Sequence, residues 1–161
     1  MAMAITFAFL IGFFGGLRSL TAPAAVAWAA YLGWLKLDGP LAWMGILPSV
    51  IIFSILAVVE YVVDKLPKTP PRTDPMGFGA RIIGGALCGA CVAQAGGQNV
   101  FLGGALGAIG GIVGCFGGLQ ARLGATKRLG GRGFLAAVIE DAIAIAGSFF
   151  VVYASTQTGL R

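Results

Sequence analysis

Apolar residues fall into six long runs, separated by short stretches that contain charged residues, glycine or proline. A helix satisfies its own backbone hydrogen bonds in lipid, and these runs are much longer than the strands of a membrane barrel. The pattern therefore predicts an all-α, polytopic membrane protein. It forms a single domain over residues 1–161, with segments at about 4–17, 21–36, 45–66, 76–95, 99–121 and 133–155.

The first two segments are shorter than the roughly 20 residues that a helix needs to cross a bilayer. Proline lacks a backbone donor and restricts the residue before it. The sequence Thr21-Ala22-Pro23 between the two segments therefore favours a broken first helix around Pro23. The chain is expected to cross the membrane five times, or six times if both short segments cross.

Glycine recurs at every fourth position in several segments, which places it on one face of a helix. This spacing lets helix backbones approach closely in lipid, as in a glycine zipper, and predicts tight packing within the chain or in a homo-oligomer. A glycine-lined pore is the alternative. The series are Gly12 and Gly16, Gly85 and Gly89, Gly103, Gly107 and Gly111, and Gly110, Gly114 and Gly118.

Two short internal matches accompany the glycine pattern. The sequence FFGGL at 13–17 recurs as CFGGL at 115–119, and GLR at 16–18 matches GAR at 79–81. The second match would make the chain two inverted halves of three segments each. This is the weak inverted repeat that many transporters contain.

Composition supports the membrane assignment, since 58% of the 161 residues are hydrophobic, only 11% are charged and the mean hydropathy is +0.91. A soluble domain of this size needs more charge on its surface. The first apolar run has no basic segment before it and leads into a second one, so we expect it to be retained rather than cleaved. The net charge of +5 follows from membrane orientation and does not indicate nucleic acid binding.

Lysine and arginine predict the orientation. They cluster in the loops 65–75 and 122–132, which two crossings separate and which therefore lie on one side. The positive-inside rule makes that side cytoplasmic, in the inner (plasma) membrane of the cell. Tyr31, Trp34 and Trp43 then form an aromatic belt at the opposite interface.

Ionisable residues inside the apolar segments are the main functional signal. A charge in mid-membrane costs about 2.5–3.5 kcal/mol on insertion scales, so we expect these residues to pair around one polar cavity open to the cytoplasm. All of them fall in the cytoplasmic half of the predicted topology, drawn from distant parts of the chain. The expected substrate- or ion-binding residues are Arg18, Thr21, Glu60, Asp64, Arg81, Glu140 and Asp141.

The proline-rich loop between the third and fourth segments carries further positive charge. Lys65, Lys68 and Arg72 are placed to bind lipid headgroups, which are the expected membrane partners. Plain anchoring of the loop at the inner surface explains the same three residues.

Enzymatic chemistry finds little support. The chain has no histidine, which removes the most common general base and metal ligand, and no phosphate-binding loop or nucleophile motif appears. The CGAC motif at 88–91 lies in an apolar segment, where a low dielectric disfavours the reactive thiolate. We expect no catalytic residues, no metal site and no cofactor.

Three stretches resemble a family of small bacterial integral membrane proteins catalogued as a domain of unknown function. They are GLRSLTAPAAVAW near the start, EYVVDKLPKTPPRT in the middle and IEDAIAI near the end. The resemblance implies a helical membrane domain without an established activity. It gives weight to Arg18, Thr21, Pro23, Glu60, Asp64, Lys65, Pro67, Arg72, Glu140 and Asp141.

Two functions follow from these observations. The first is a small transporter or channel-like protein that moves an ion or a small polar solute, with or without coupling to protons, through the Arg/carboxylate cluster. The second is a lipid-binding or structural membrane subunit that transports nothing and forms oligomers through its glycine faces. The charged residues in the membrane favour the first.

Overall fold

The computed structural model describes residues 2–64, 74–128 and 130–157. Within these ranges the chain is helical and contains no strand, which confirms the all-α class. A 3-10 helix, Gly39–Gly45, precedes α3. The six α-helices are α1 (Ala2–Leu17), α2 (Thr21–Tyr31), α3 (Leu47–Val63), α4 (Pro75–Ala95), α5 (Val100–Arg128) and α6 (Gly133–Gln157).

Three of these helices, α4, α5 and α6, are long and apolar enough to cross a membrane. The 3-10 helix and α3 pass the same test only as a pair, with a bend of 63° between them, which gives up to four spans in the described residues. Helices α1 and α2 have 16 and 11 residues and are shorter than a full crossing. The predicted count of five or six crossings is therefore not confirmed.

Helices α1 and α2 form a hairpin rather than one broken span. Arg18 at the turn pairs with Asp141 of α6, whereas Trp34, beyond the end of α2, packs edge-on against Tyr153 nearer the end of α6. Phe14 lies against Gly147, so α1 runs antiparallel to α6 and α2 runs parallel to it. The chain therefore reverses at the residues 18–20, which we call the hairpin tip.

The break predicted near Pro23 occurs at residues 18–20, between the two predicted segments. Pro23 lies in the first turn of α2, where a missing N–H costs nothing because the first amides of a helix have no partner within it. The reversal comes earlier, between Leu17 and Thr21. At the turn, Arg18 and Ser19 bind groups on other helices.

Two other boundaries differ from the predicted ones. The second segment ends at Tyr31 instead of residue 36 and is followed by Gly33 with φ of +76°, a conformation that glycine adopts easily. Helix α5 continues past residue 121 to Arg128, so most of the predicted loop 122–132 is helical. No strong helix breaker occurs before Gly130 and Gly131, which have φ of +64° and +84°.

The core of the fold is a three-helix unit, α1, α4 and α5, held together at glycine. A Cβ added at Gly85 would lie 2.6 Å from the carbonyl oxygen of Gly107, and one added at Gly111 would lie 2.7 Å from that of Arg81. At these positions the helix backbones touch without side chains between them. This packing occurs within one chain. The weak inverted repeat remains a prediction.

The two ends of the molecule differ in character. At the end we call the charged end, α3 finishes, α4 begins, α5 finishes and α6 begins. The opposite end carries the exposed aromatic side chains Tyr31, Trp34 and Trp43, which suit a membrane interface. Between the ends, many large apolar side chains are exposed, including Ile51, Ile55 and Val58 of α3, as on a surface that faces lipid.

Candidate functional site

The hairpin tip lies inside the helix bundle, some distance from the charged end. Arg81, beside the tip, follows the start of α4 by six residues, and Asp141 follows the start of α6 by eight. At a rise of about 1.5 Å per residue, these side chains lie about 9 and 12 Å from the ends of their helices. The tip therefore places polar groups well inside the ends of α4 and α6.

Arg18 is the centre of the site. Its side chain is completely buried, and its guanidinium forms ion pairs with Asp64, just after α3, and with Asp141 of α6. The guanidinium carbon also lies 5.5 Å from the centre of the Tyr61 ring, at cation–π distance. One side chain thus joins the first hairpin to two helices that are distant in sequence.

Glu60 caps the second helix of the hairpin from outside. Its carboxylate accepts hydrogen bonds from the backbone N–H of Ser19 at 2.9 Å and of Leu20 at 3.0 Å, and from the Ser19 hydroxyl at 2.7 Å. The residue before α2 is Leu20, which offers no side-chain cap of its own. Glu60 therefore supplies the negative charge that a helix N-terminus favours, and its tolerance in an apolar segment is explained.

Arg81 occupies the corresponding place at the end of α1. Its Nε donates to the Gly16 carbonyl at 3.1 Å, and its terminal nitrogen donates to the Gly77 carbonyl at 3.0 Å. A second terminal nitrogen is 4.0 Å from the Glu60 carboxylate. A cation is favourable at a helix C-terminus, so each helix end at the tip faces a side chain of opposite charge.

Thr21 and Tyr61 complete the site with an uncharged contact. Their hydroxyl oxygens are 2.6 Å apart in a hydrogen bond that joins α2 to α3. Thr21 is buried, so its hydroxyl needs this partner. The site that we call the tip cluster consists of Arg18, Ser19, Thr21, Glu60, Tyr61, Asp64, Arg81 and Asp141.

Glu140 does not belong to the tip cluster, which corrects the prediction of one common site. Consecutive residues of a helix point about 100° apart, so Glu140 turns away from its neighbour Asp141. It faces α5, where its carboxylate is 3.8 Å from the guanidinium of Arg122. Glu140 lines a separate cleft of about 210 Å³ between α1, α5 and α6.

Three residues of these sites were missed from the sequence. Ser19 and Tyr61 lie next to predicted residues, and their hydroxyls beside charges in an apolar segment were the available signal. Arg122 was assigned to a loop, but it lies within α5. The predicted headgroup-binding residues Lys65, Lys68 and Arg72 lie outside the described residues.

The tip cluster is held together by charge pairing between Arg18 and two carboxylates. In a medium of low dielectric a buried ion pair needs both partners. Side-chain exposures of 17% for Asp64 and 11% for Asp141 show that the carboxylates lie nearer the molecular surface than the guanidinium. Among the described residues, no group of three or more potential ligands is arranged to hold a metal ion.

Comparisons with known proteins identify the family. A family model described as a domain of unknown function (DUF4126) matches residues 5–160. The chain belongs to this family, which confirms the resemblance seen in its sequence. No curated protein and no solved structure gives a significant match.

Proposed function

We propose that this family member is a small membrane transporter or channel-like protein that uses the tip cluster to bind and release an ion or a small polar solute. The observation that carries the proposal is the buried Arg18 guanidinium, which binds Asp64 and Asp141 from two helices at a depth inside the bundle. Ionisable groups at that depth are costly and are typical of substrate and proton pathways.

The hairpin of α1 and α2 is the moving part in this proposal. Helices α1 and α2 end within the bundle, and charged side chains from other helices hold both of their tip ends. Helix ends that meet inside a membrane protein are typical of the ion sites of transporters. When a proton or cation binds Asp64 or Asp141, the pull on Arg18 weakens and the tip is free to shift relative to α3 and α6.

The orientation belongs to the same proposal. We place the charged end on the cytoplasmic side of a bacterial inner membrane. In the sequence, basic residues concentrate within 65–75 and 122–132, and the positive-inside rule assigns such stretches to the cytoplasmic side. The tip cluster then opens toward the cytoplasm.

Flux into proteoliposomes tests the proposal. The purified protein is reconstituted, and uptake of protons, Na⁺ and Rb⁺ is followed with an entrapped pH-sensitive dye and with radioactive tracers. We expect one of these cations to cross faster than in protein-free liposomes. We also expect Asp64→Asn and Asp141→Asn to reduce that flux to the protein-free level, because each removes one charge that binds the cation.

Two variants control for folding and for net charge. Asp64→Glu keeps the carboxylate and should retain part of the flux. Asp38→Asn changes an exposed residue outside the cluster and should leave the flux unchanged. Flux that survives both Asp→Asn substitutions would remove these carboxylates from the pathway, and the absence of flux of all three cations would reject cation transport.

A second candidate function is a structural membrane subunit that transports nothing. Its support is Glu60, whose three hydrogen bonds to the hairpin tip are explained by architecture alone. The glycine faces of α1, α4 and α5 are occupied within the chain. A homo-oligomer would therefore use another surface, such as the exposed apolar face of α3.

Glu60→Gln separates the two functions. The variant keeps one oxygen acceptor but turns an amide N–H₂ toward backbone donors, so it should destabilise the protein by about 1.5–3 kcal/mol. If Glu60 is a structural cap in a transporter, the folded variant retains flux. If wild-type protein has no flux while this variant fails to assemble with other membrane proteins, the structural function is favoured.

A further inference from the structure

A groove runs between α5 and α6 at the charged end, separate from the tip cluster. It consists of the cleft of about 210 Å³ that contains Glu140 and of a wider recess of about 520 Å³ toward the end of α5. The two share Ala121, Ala125 and Ile139 in their walls and are therefore continuous. We call them together the α5–α6 groove.

The deeper part of the groove is shaped for an apolar ligand. Glycine and alanine on α5 leave space between the helices, and larger apolar side chains from α1 and α6 form the remaining wall. Ligand sites are typically concave and mostly apolar, and this lining matches the chemistry of a hydrocarbon chain. The side chains that form the larger wall are Phe13, Leu17, Ile139 and Ile143.

Two guanidinium groups lie along the groove on α5. Arg122 lines the deep part, and Arg128, six residues on and about 9 Å nearer the charged end, lines the outer recess. The side chain of Arg122 is 26% exposed, and its distance of 3.8 Å from Glu140 exceeds hydrogen-bonding range. Within the described residues the Arg122 side chain has the Glu140 carboxylate as an ion-pair partner but no hydrogen bond, so its N–H donors can serve a ligand.

We propose that the α5–α6 groove binds an anionic phospholipid, with one acyl chain in the deep apolar part and the phosphate at Arg128 and Arg122. Arginine binds phosphate through paired N–H donors. Glu140 lies at the inner end, where it holds Arg122 in the groove and keeps a second anion from moving deeper. Along the groove, the two arginines lie nearer the charged end and the apolar side chains lie deeper. This order matches that of the phosphate and the acyl chain in a phospholipid.

Phosphatidylglycerol and phosphatidylcholine are the probes. The protein, freed of lipid in a neutral detergent, is titrated with each lipid, and binding is followed by native mass spectrometry and by thermal unfolding. We expect phosphatidylglycerol to bind more tightly and to raise the unfolding temperature. Arg128→Gln and Arg122→Gln should each raise its dissociation constant about tenfold, as loss of a charged hydrogen bond does.

Matched variants separate a site from general attraction. Arg132→Gln and Lys127→Gln remove exposed charges at the same end, outside the walls of the groove, and should change binding little. Ala125→Trp fills the groove without changing charge and should abolish binding, whereas Leu123→Trp, at an exposed position of the same helix, should not.

Three results would overturn the inference. They are unchanged phosphatidylglycerol binding by a folded Ala125→Trp protein, equal weakening by Arg132→Gln and Arg128→Gln, and displacement of the lipid by inorganic phosphate alone. Lipid binding is measured without flux. Failure of the transporter proposal would therefore leave this test intact.

Discussion

The glycine core and the tip cluster hold helices together in opposite ways. In the core of α1, α4 and α5, backbone meets backbone and no side chain intervenes, as where Gly85 lies against Gly107. At the tip, charged and hydroxyl side chains reach across wider gaps, and Arg18 alone joins three helical segments. Lipid offers no hydrophobic drive for helices to associate, so the chain relies on close contact in one region and on charge in the other.

This contrast indicates where the molecule is able to move. Close backbone packing has one geometry, since any rotation separates the helices or makes them clash. Ion pairs and hydrogen bonds can exchange one partner for another. The three-helix core is therefore suited to be the frame, and the tip with α3 and α6 is suited to be the part that responds to a ligand.

Arg18→Gln tests the charged region and should have the largest effect. It leaves Asp64 and Asp141 close together without the guanidinium between them, and loss of one partner of a buried ion pair costs about 3–5 kcal/mol. Unfolding in detergent, followed by circular dichroism, measures the loss. Arg132→Gln, which removes an exposed charge, should lie within about 0.5 kcal/mol of wild type. If the two variants are equally stable, Arg18 does not hold the helices together.

Gly85→Ala tests the glycine core. The new Cβ would lie 2.6 Å from the Gly107 carbonyl oxygen, closer than real Cβ atoms come, so α4 and α5 must separate. Overpacking of this kind costs about 1–3 kcal/mol. Gly79→Ala is the control on the same helix, because nothing lies within 4 Å of its Cβ. If Gly85→Ala and Gly79→Ala have the same unfolding temperature, the glycine core is not rigid.

Tyr61→Phe has the smallest expected effect. It tests how much the hydroxyl hydrogen bond, as opposed to the ion pairs, stabilises the tip. It removes the hydroxyl that bonds to Thr21 and keeps the ring beside Arg18, so the cost should be about 0.5–1.5 kcal/mol. Tyr31→Phe, at an exposed tyrosine, should be neutral in the same unfolding assay. A loss as large as that of Arg18→Gln would mean that the hydroxyl network, rather than the ion pairs, holds the tip.

The helices and much of the site could be predicted from the sequence, because both follow from the cost of burying polar groups in lipid. Long apolar runs predicted each helix, and the few charges within them predicted that Arg18, Glu60, Asp64 and Asp141 would lie close together. The resulting partners were not predictable. Glu60 binds backbone N–H groups of the hairpin rather than an arginine at close range. Which partner Glu60 meets depends on the direction in which the chain turns at residues 18–20, and the sequence does not give this direction.

The failures have equally physical causes. Glu140 and Asp141 are neighbours in sequence, but the rotation of a helix sends them to different sites. Arg122 was assigned to a loop because polar residues begin near it, yet a helix continues until something ends it. The first two segments were expected to form one broken span, but the chain reverses between them and Pro23 lies in the first turn of α2, where proline is compatible with a helix.

The placement of Arg18 also bears on how the protein is made. The hairpin α1–α2 leaves the ribosome before the two carboxylate partners of Arg18, which follow at the end of α3 and within α6. Until α6 is in place, Arg18 lacks one of the two carboxylates that it pairs with in the folded protein. Insertion of α6 therefore completes the contacts that hold the hairpin.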